Sequence, residues 1–355
     1  MSETGAPAAS KRYEFEFHGT GGEYFGIWIV NLALTVLTLG IYSAWATVRT
    51  RRYFRGNTVL AGHSFDYHAS PVRILIGRAI ALTLLISYNF SVYFSPYALL
   101  FWVPLFLAVL PWLINSSLRF NARNTSYRNV RFNFTGKYGE AVVAYVLWPI
   151  LGFLTLGFLM PLARRVADYY YVNHHTFGGR PFETEFSAWH IYRIFLLAIG
   201  LGVILVLVLG GLLAAAIAAM PHGQTFDPNH PNAFMPLFFL VLITFEVAFI
   251  VLGIAIATMV FNLVISNTVL DGRHKLGAHL SALRVAWIMI TNIILTMLTL
   301  GIFYPWAQVR IARYRVEHLS LEAASDLDEF TSETFGTQNA VGEEIAGFFD
   351  LDFGL

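Results

Sequence analysis

Four long apolar runs constrain the fold of this chain more than any other feature of its sequence. They cover residues 72–95, 97–118, 192–220 and 235–266. A helix needs about 20 apolar residues to cross the hydrocarbon layer of a bilayer, and each run reaches that length. Charged residues make up only 13% of the chain, whereas soluble domains contain about 25%. The sequence therefore predicts a multi-pass membrane protein.

Sequence motifs that would indicate an enzyme are absent. The chain has no cysteine, which excludes disulfides, thiolate metal ligands and cysteine nucleophiles. It contains no phosphate-binding glycine loop, no serine-hydrolase elbow and no HExxH zinc motif. Its histidines, including the adjacent pair His174 and His175, lack the spacing of metal ligands. We therefore predict no catalytic residue, no metal and no cofactor.

One apolar-to-basic pattern occurs three times. The copies are Leu37–Phe54, Leu154–Tyr171 and Leu298–Arg315, and each begins with Leu-Thr-Leu-Gly. The first and third copies also share a tryptophan five residues after the glycine and an Arg-Tyr pair further on, whereas the second copy departs from this pattern. Duplicated membrane units are common in transporters. The repetition predicts that one structural unit is used three times.

The distribution of positive charge bears on membrane topology. Residues 22–45, 139–162 and 284–306 could each cross the membrane once, giving seven spans with basic loops on both sides. If these segments instead enter and leave on one side, every basic cluster lies in the cytoplasm, as the positive-inside rule favours. Bends are then expected near Trp148, Pro149 and Gly152 in the second copy. Both alternatives predict an all-α integral membrane protein. Its four long helices form the hairpins 72–118 and 192–266, and each of the three re-entrant or spanning segments is followed by a basic amphipathic helix.

The same pattern divides the chain into segments. No lysine or arginine follows Arg315, whereas acidic residues are frequent there, which is typical of a solvated, disordered tail. We expect both termini in the cytoplasm. The predicted segments are a cytoplasmic N-terminal segment (1–21), a first membrane repeat unit (22–118), a second one (119–266), a third partial repeat (267–320) and the acidic tail (321–355).

Polar residues within the apolar segments are candidates for a transport pathway. Glu246 is an acidic residue inside a long apolar run, where an ionisable group is costly and often functional. It could relay a proton or cation, or remain neutral and orient helix packing. Glu23 and Glu140 precede two of the repeated segments and could line a vestibule or favour a helix N-terminus. Asn31 and Asn292 could bind a ligand or form hydrogen bonds between hairpins.

Basic and aromatic residues alternate directly after the repeated segments. Such a pattern can indicate nucleic-acid binding, but beside a membrane segment it favours contact with anionic lipid headgroups at the cytoplasmic face. We therefore predict membrane lipids as partners, no nucleic acid, and association of copies as an open alternative. The headgroup candidates are Arg49, Arg52, Arg55, Arg310, Arg313, Trp45 and Trp306.

The segment Phe15–His68 resembles the YjgN family of bacterial inner-membrane proteins, and the pattern returns near the C-terminus. The resemblance implies a multi-pass protein of the bacterial cytoplasmic membrane with a domain of unknown function, and it brings no site residues. Two functions remain open, and a membrane enzyme of another type ranks third. The first is a transporter or channel-like protein for a small solute or ion, and the alternative is a non-enzymatic lipid-binding or membrane-organising protein.

Overall fold

The computed structural model describes residues 11–218 and 234–335. Helices and short strands alternate along this part of the chain. The helices are α1 (Gly21–Leu37), α2 (Ser43–Gly56), α3 (Pro71–Phe94), α4 (Leu99–Arg123), α5 (Tyr138–Val142), α6 (Trp148–Leu154), α7 (Met160–Asn173), α8 (Ala188–Ala218), α9 (Phe234–Ser266), α10 (Ala282–Leu298) and α11 (Tyr304–Val316). The strands are β1 (Lys11–Phe17), β2 (Thr58–Leu60), β3 (His63–Tyr67), β4 (Thr125–Tyr127), β5 (Val130–Phe134), β6 (His175–Phe177), β7 (Arg180–Thr184), β8 (Thr268–Leu270), β9 (His274–Ala278) and β10 (Leu319–Ala323).

The strands form a closed barrel, so the predicted all-α class is wrong. The order around the barrel is β1-β10-β9-β8-β7-β6-β5-β4-β3-β2, and every pairing in it is antiparallel. Closure joins the two ends of the described chain, with Lys11 opposite Ala323. Because each strand has only three to seven residues, its periodicity is a weak signal beside apolar runs of more than twenty.

Strand sequences follow the inward and outward alternation of a barrel. In β1, Tyr13, Phe15 and Phe17 are at least partly buried, whereas Glu14 and Glu16 between them are exposed. Successive side chains of a strand point to opposite faces, so one set fills the barrel and the other meets solvent. The inward aromatic side chains supply the burial that holds these short strands together.

Two-residue turns connect the strands of three hairpins. Both turn residues have positive φ in the pairs Ala61-Gly62 (47° and 76°), Arg128-Asn129 (51° and 66°) and Gly178-Gly179 (54° and 90°). Positive φ at both positions is the type I′ geometry that matches the right-handed twist of antiparallel strands. The β8–β9 turn also begins with two such residues, Asp271 and Gly272.

A further helix closes the turn end of the barrel. Residues 327–335 are helical, and Leu327 and Phe330 belong to the core cluster formed by the barrel interior. Thr334 is fully buried against Gly178, where an added Cβ would lie 2.1 Å from its Cγ2 atom. The acidic tail predicted from residue 321 onward thus begins with β10 and this helix, while residues 336–355 lie outside the described part.

Helices α1 to α11 leave the opposite end of the barrel, because each β-hairpin joins the end of one helix to the start of the next. They form five antiparallel pairs: α1/α2, α3/α4, α5–α6/α7, α8/α9 and α10/α11. The α3, α4, α8 and α9 helices are long and apolar enough to cross a membrane. The other three pairs contain shorter apolar helices, such as Gly21–Leu37 and Ala282–Leu298.

The repeated Leu-Thr-Leu-Gly sequence reverses the chain in each short pair. In the first pair, Leu39 has φ 50° and Gly40 has φ 93°, and the Gly40 amide donates to the carbonyl of Thr35. This closure of a helix C-terminus by residues of positive φ is typical of a Schellman motif. The Thr38 hydroxyl donates to Leu34 and accepts from the amide of Tyr42, so it links the end of α1 to the start of α2.

The second short pair bends later than expected. Residues 143–147 form a π-helical turn before Trp148, because Pro149 has no amide hydrogen to continue the α-helical bonding pattern. The helix nevertheless continues to Leu154, and the chain reverses at Leu156 and Gly157, which have φ 51° and 91°. The bend expected at Trp148, Pro149 and Gly152 is therefore wrong.

Candidate functional site

Each helix that leads into a β-hairpin or into β10 ends with the same hydrogen bond. A side-chain nitrogen at the cap position, or one residue beyond it in α11, bonds the carbonyl oxygen four residues earlier, over 2.7 to 2.9 Å. Both positions are called cap residues below. Such bonds satisfy carbonyl groups that a helix end leaves free. This contact assigns a structural role to His174, and His175 bonds Tyr171 in the same way. The five cap residues are Asn57, Asn124, His174, Asn267 and His318.

The residue five positions before each cap residue bonds the strand that leads into the following helix pair. Its side chain donates to a backbone carbonyl at or just beyond that strand, as Arg52 does to Tyr67 and Arg313 does to Gly19. For α11 this strand is β1, which pairs with β10 and leads into α1. The equivalent donors are Arg119, Tyr169 and Asn262. Two of the predicted headgroup residues, Arg52 and Arg313, therefore take part in this connection between helix and barrel.

In each of the three short helix pairs, the residue after this side-chain donor is a tyrosine. Its hydroxyl bonds a backbone group just before the first helix of a short pair. The Tyr53 hydroxyl accepts from the amide of Thr20, which caps α1. Tyr170 donates to the carbonyl of Lys137 before α5, and Tyr314 accepts from the amide of Ser281 before α10. Burial, followed by contacts with Thr20 and Glu23, leaves the pKa of Tyr53 at about 12. This hydroxyl is therefore un-ionised at neutral pH.

The two repeated glutamates lie at helix N-termini near the barrel. Glu23 is the third residue of α1, and its carboxylate accepts from the amide of Thr20 while the Thr20 hydroxyl accepts from the amide of Glu23. This reciprocal pair is a capping box. Glu140 accepts from the amide of Lys137 and lies 2.8 Å from His174 Nε2. Both carboxylates are thus engaged by the ends of their own helix pairs.

The two asparagines of the repeated segments, Asn31 and Asn292, are buried but differ in their hydrogen-bond partners. Asn292 donates to the carbonyl of Ala307 over 3.0 Å and accepts from Arg310 over 3.3 Å, so it joins α10 to α11. Asn31 occupies the equivalent place in α1, yet its buried Oδ1 atom has no partner among the described residues. Arg49, the counterpart of Arg310, is exposed.

Glu246 does not face a bundle interior. It lies on α9 with its side chain exposed, next to exposed Val247 and Phe249. The segment Phe238–Ser266 that contains it has 0% of its apolar window buried. The structure therefore places this carboxyl on the outer surface of a candidate span.

The other predicted headgroup residues of the first copy, Arg55, Trp45 and Arg49, lie in different surroundings. Arg55 is half-buried, bonds the Thr125 hydroxyl and lies 4.5 Å from the ring of Tyr67. Trp45 packs against the cluster that contains Tyr67, whereas Arg49 is exposed. Burial lowers the pKa of Arg55 to about 10, so this guanidinium still carries its charge at neutral pH.

In the third copy, by contrast, the predicted headgroup residues converge. Arg310, Arg313 and Trp306 line one groove of about 580 Å³ between α1, α10 and α11. Arg284 on α10 adds a third guanidinium, which sequence reasoning missed because this residue precedes the repeated motif. Its side chain is exposed and has no partner among the described residues. We call this the interfacial groove; its remaining lining residues are Thr20, Gly21, Ile288, Phe303, Val309, Tyr314 and Glu317.

The interfacial groove combines arginine and aromatic side chains. Arg284 lies near the start of α10 and Arg313 near the end of α11, and both ends adjoin the barrel. Trp306 is seven residues before Arg313, a distance of about 10 Å along a helix. Trp306 stacks on Phe25 with ring centroids 5.0 Å apart and leaves 37% of its surface exposed. The Trp306 ring also lies against Gly21, the first residue of α1, and Arg313 bonds the carbonyl of Gly19. The aromatic and basic side chains of the interfacial groove therefore lie side by side.

The described residues contain no group of three or more His, Cys, Asp and Glu side chains placed to hold a metal ion. Arg313 and Glu317 approach to 4.0 Å, and Glu317 is the one acidic residue that lines the interfacial groove. Three guanidiniums against one carboxylate leave the groove electropositive. Its chemistry is that of binding an anion beside an apolar group.

Comparisons with known proteins identify relatives of this chain. Residues 12–348 match the family described as "Bacterial protein of unknown function (DUF898)". The "Inner membrane protein YjgN" of Salmonella typhimurium is 23% identical over 91% of this chain and 92% of its own length. The protein of that name from Escherichia coli K12 is 34% identical over 34% of this chain and 31% of its own length. No solved structure matches. The expected YjgN family is confirmed.

Proposed function

The chain belongs to the bacterial DUF898 family, and we propose that it binds anionic phospholipids at the barrel side of the membrane without chemical turnover. The observation that carries this proposal is the interfacial groove, in which Arg284, Arg310 and Arg313 lie beside Trp306. Its matched relatives are named as inner membrane proteins, and four helices of this chain have the length and composition of membrane spans.

Membrane orientation follows from where the helix pairs begin and end. Both arms of every pair return to the barrel, so we infer that α3/α4 and α8/α9 span as hairpins. The short pairs then re-enter from the barrel side. Their reversal points carry leucines that are more than nine-tenths exposed, which supports contact with lipid: these are Leu39, Leu156 and Leu300. Arginines cluster where helices meet the barrel, which supports a cytoplasmic barrel and cytoplasmic termini.

The interfacial groove fits a phospholipid in that orientation. A phosphate near Arg284 and Arg313 would sit where the headgroup region meets the barrel. Its acyl chain would extend past Ile288 and Trp306 toward the hydrocarbon layer. Tryptophan favours this boundary because its ring is apolar and its N–H is polar. Each basic residue near an anionic membrane surface contributes about 1 kcal/mol.

Transport of a small solute or ion has less support. That hypothesis depended on Glu246 facing a bundle interior, and its carboxyl lies on an exposed face of α9. Glu23 and Glu140 form helix-terminal contacts instead of lining a common chamber. We therefore propose lipid binding, which was the alternative interpretation of the sequence, as the better account of the geometry.

The test is native mass spectrometry of the full chain, released from dodecyl maltoside after incubation with phosphatidylglycerol or phosphatidylcholine. We expect preferential retention of phosphatidylglycerol. Arg284→Gln should weaken that retention about fivefold, the equivalent of about 1 kcal/mol. The same spectra report the number of copies in each particle, which tests whether the protein self-associates.

Arg193→Gln is the matched control. Arg193 is also an exposed arginine near the start of a helix, α8, but it does not line the interfacial groove. Its replacement should leave the lipid preference unchanged. Equal retention of the two lipids, or an equal loss in the two variants, would show that the interfacial groove is not the binding site.

A further inference from the structure

A second cavity lies on the axis of the molecule, where the helices meet the barrel. It has a volume of about 500 Å³ and receives residues from α2, α4, α7 and α9 and from the seven strands β3 to β9. We call it the axial cavity. Neither the sequence analysis nor the family description assigns it a role. Its polar lining residues include Arg51, Arg55, Asn121, Thr125, Tyr171 and His175.

Two guanidiniums supply the charge of the axial cavity. Arg51 bonds the Tyr67 hydroxyl over 2.8 Å and the Asn121 side-chain oxygen, and Arg55 bonds the Thr125 hydroxyl. All three partners are neutral, and neither arginine forms an ion pair within the described residues. Keeping two like charges half-buried without a counter-charge is unfavourable. The positive charge of Arg51 and Arg55 therefore lacks a counter-charge among the described residues.

The remaining titratable side chains do not neutralise that charge. Burial lowers the pKa of His175 and raises the pKa of Tyr171. Both are consequently uncharged at neutral pH. In the described part of the chain, no aspartate or glutamate lines the cavity. The two arginines therefore determine its electrostatic potential.

The barrel side of the axial cavity is closed. Phe65, Phe132 and Phe182 form its floor, and they pack on the core cluster that contains Phe177 and Phe330. The open side therefore faces the space between the helices. A volume of 300 to about 1,000 Å³ with an apolar lining and a few polar groups is typical of small-ligand sites.

We propose that the axial cavity binds an oxyanion, a phosphate or carboxylate, carried on an apolar body. The oxyanion would accept hydrogen bonds from Arg51 and Arg55, and the apolar part would occupy the aromatic floor and the lower helix walls. Guanidinium–oxyanion bonds are among the stronger polar contacts in proteins. This ligand site is separate from the interfacial groove and shares none of its lining residues.

The experiment uses the full chain in dodecyl maltoside and isothermal titration calorimetry. The probes are decyl phosphate, inorganic phosphate and, as an uncharged ligand with the same chain, decyl maltoside. We expect saturable binding of decyl phosphate alone. Arg55→Gln should weaken it about tenfold or more, as expected when one charge-assisted contact is lost.

Two control variants separate this site from other basic surfaces. Arg49→Gln removes an exposed arginine from the same helix and should bind decyl phosphate as the unaltered chain does. Arg284→Gln alters only the interfacial groove, so the loss caused by Arg55→Gln should be equally large when both substitutions are combined. Hydrogen exchange of the unaltered protein gives an independent measurement, because decyl phosphate should slow exchange in residues 51–55. Equal affinities for inorganic phosphate and decyl phosphate would refute the proposal that the ligand carries an apolar part. Unchanged affinity in Arg55→Gln, or no slowing of exchange, would refute the site.

Discussion

Replacing Phe330 should release the helix that closes the barrel. Phe330 is 3% exposed, its ring centroid lies 4.4 Å from that of His274, and it stacks on Phe177. Removing a buried phenylalanine side chain costs about 3–5 kcal/mol. The core around Phe330 contains side chains of both the barrel and residues 327–335. The lost packing free energy should therefore make it easier for residues 327–335 to separate from the barrel.

Hydrogen exchange of the full chain in detergent measures this separation directly. A loss of about 3 kcal/mol corresponds to exchange roughly 100-fold faster in residues 327–335 of Phe330→Ala. Strands β6 and β9, which carry Phe177 and His274 on the barrel side of the contact, should exchange less rapidly than the released helix. Phe335→Ala is the matched control, since Phe335 is 42% exposed and its loss should change little. Fast exchange of residues 327–335 already in the unaltered chain would refute the buried position of Phe330.

Two further predictions concern the contacts that shape the helix pairs and the barrel. Tyr53→Phe removes the hydroxyl that bonds the amide and carbonyl of Thr20. It should destabilise the α1/α2 pair by about 1–2 kcal/mol, seen as faster exchange in α1, whereas Tyr97→Phe at an exposed site should have no effect. His274 is fully buried with both ring nitrogens unpartnered, and burial, followed by repulsion from Arg273, lowers its pKa below 6.5. The unfolded chain therefore binds more protons, so stability should fall as the pH drops below about 6.5. Thermal unfolding of His274→Leu should show a smaller loss between pH 7 and pH 5, and an identical loss would contradict this cause.

The sequence predicted the long helices well and missed the barrel. Four apolar runs of more than twenty residues gave an unambiguous signal, and α3, α4, α8 and α9 begin and end within a few residues of them. The barrel strands have no comparable signal because each buries only two or three side chains. Asp271-Gly272 and Gly178-Gly179 are typical hairpin turns, and the alternation in Lys11–Phe17 is typical of a strand. These signals predict hairpins but not their closure, since β1 and β10 pair across about 300 residues of sequence.

The candidate site was predictable in composition but not in arrangement. Interleaved arginine and tryptophan residues predicted a basic, aromatic surface, and the structure brings Trp306, Arg310 and Arg313 to one groove. Arg284 was missed because it is separated from them by a whole helix. Local patterning likewise did not distinguish Arg52, which bonds a strand carbonyl, from Arg49, which is exposed. The two arginines share a helix, and only the neighbouring hairpin determines which of them has a partner.

The fold explains why the chain reverses between successive β-hairpins. The helix pairs from α1 to α11 begin and end at one rim of the barrel, so each connection between two β-hairpins needs an outgoing and a returning helical arm. Each connection must therefore return, either as a long pair such as α8/α9 or as a short pair such as α10/α11. In the short pairs the Thr-Leu-Gly turn satisfies the backbone groups of the bend internally, through bonds such as Gly301 to Thr296 and Phe303 to Thr299. Unsatisfied backbone groups are costly in hydrocarbon, so this local bonding permits a bend whose outermost side chain, Leu300, is apolar and exposed.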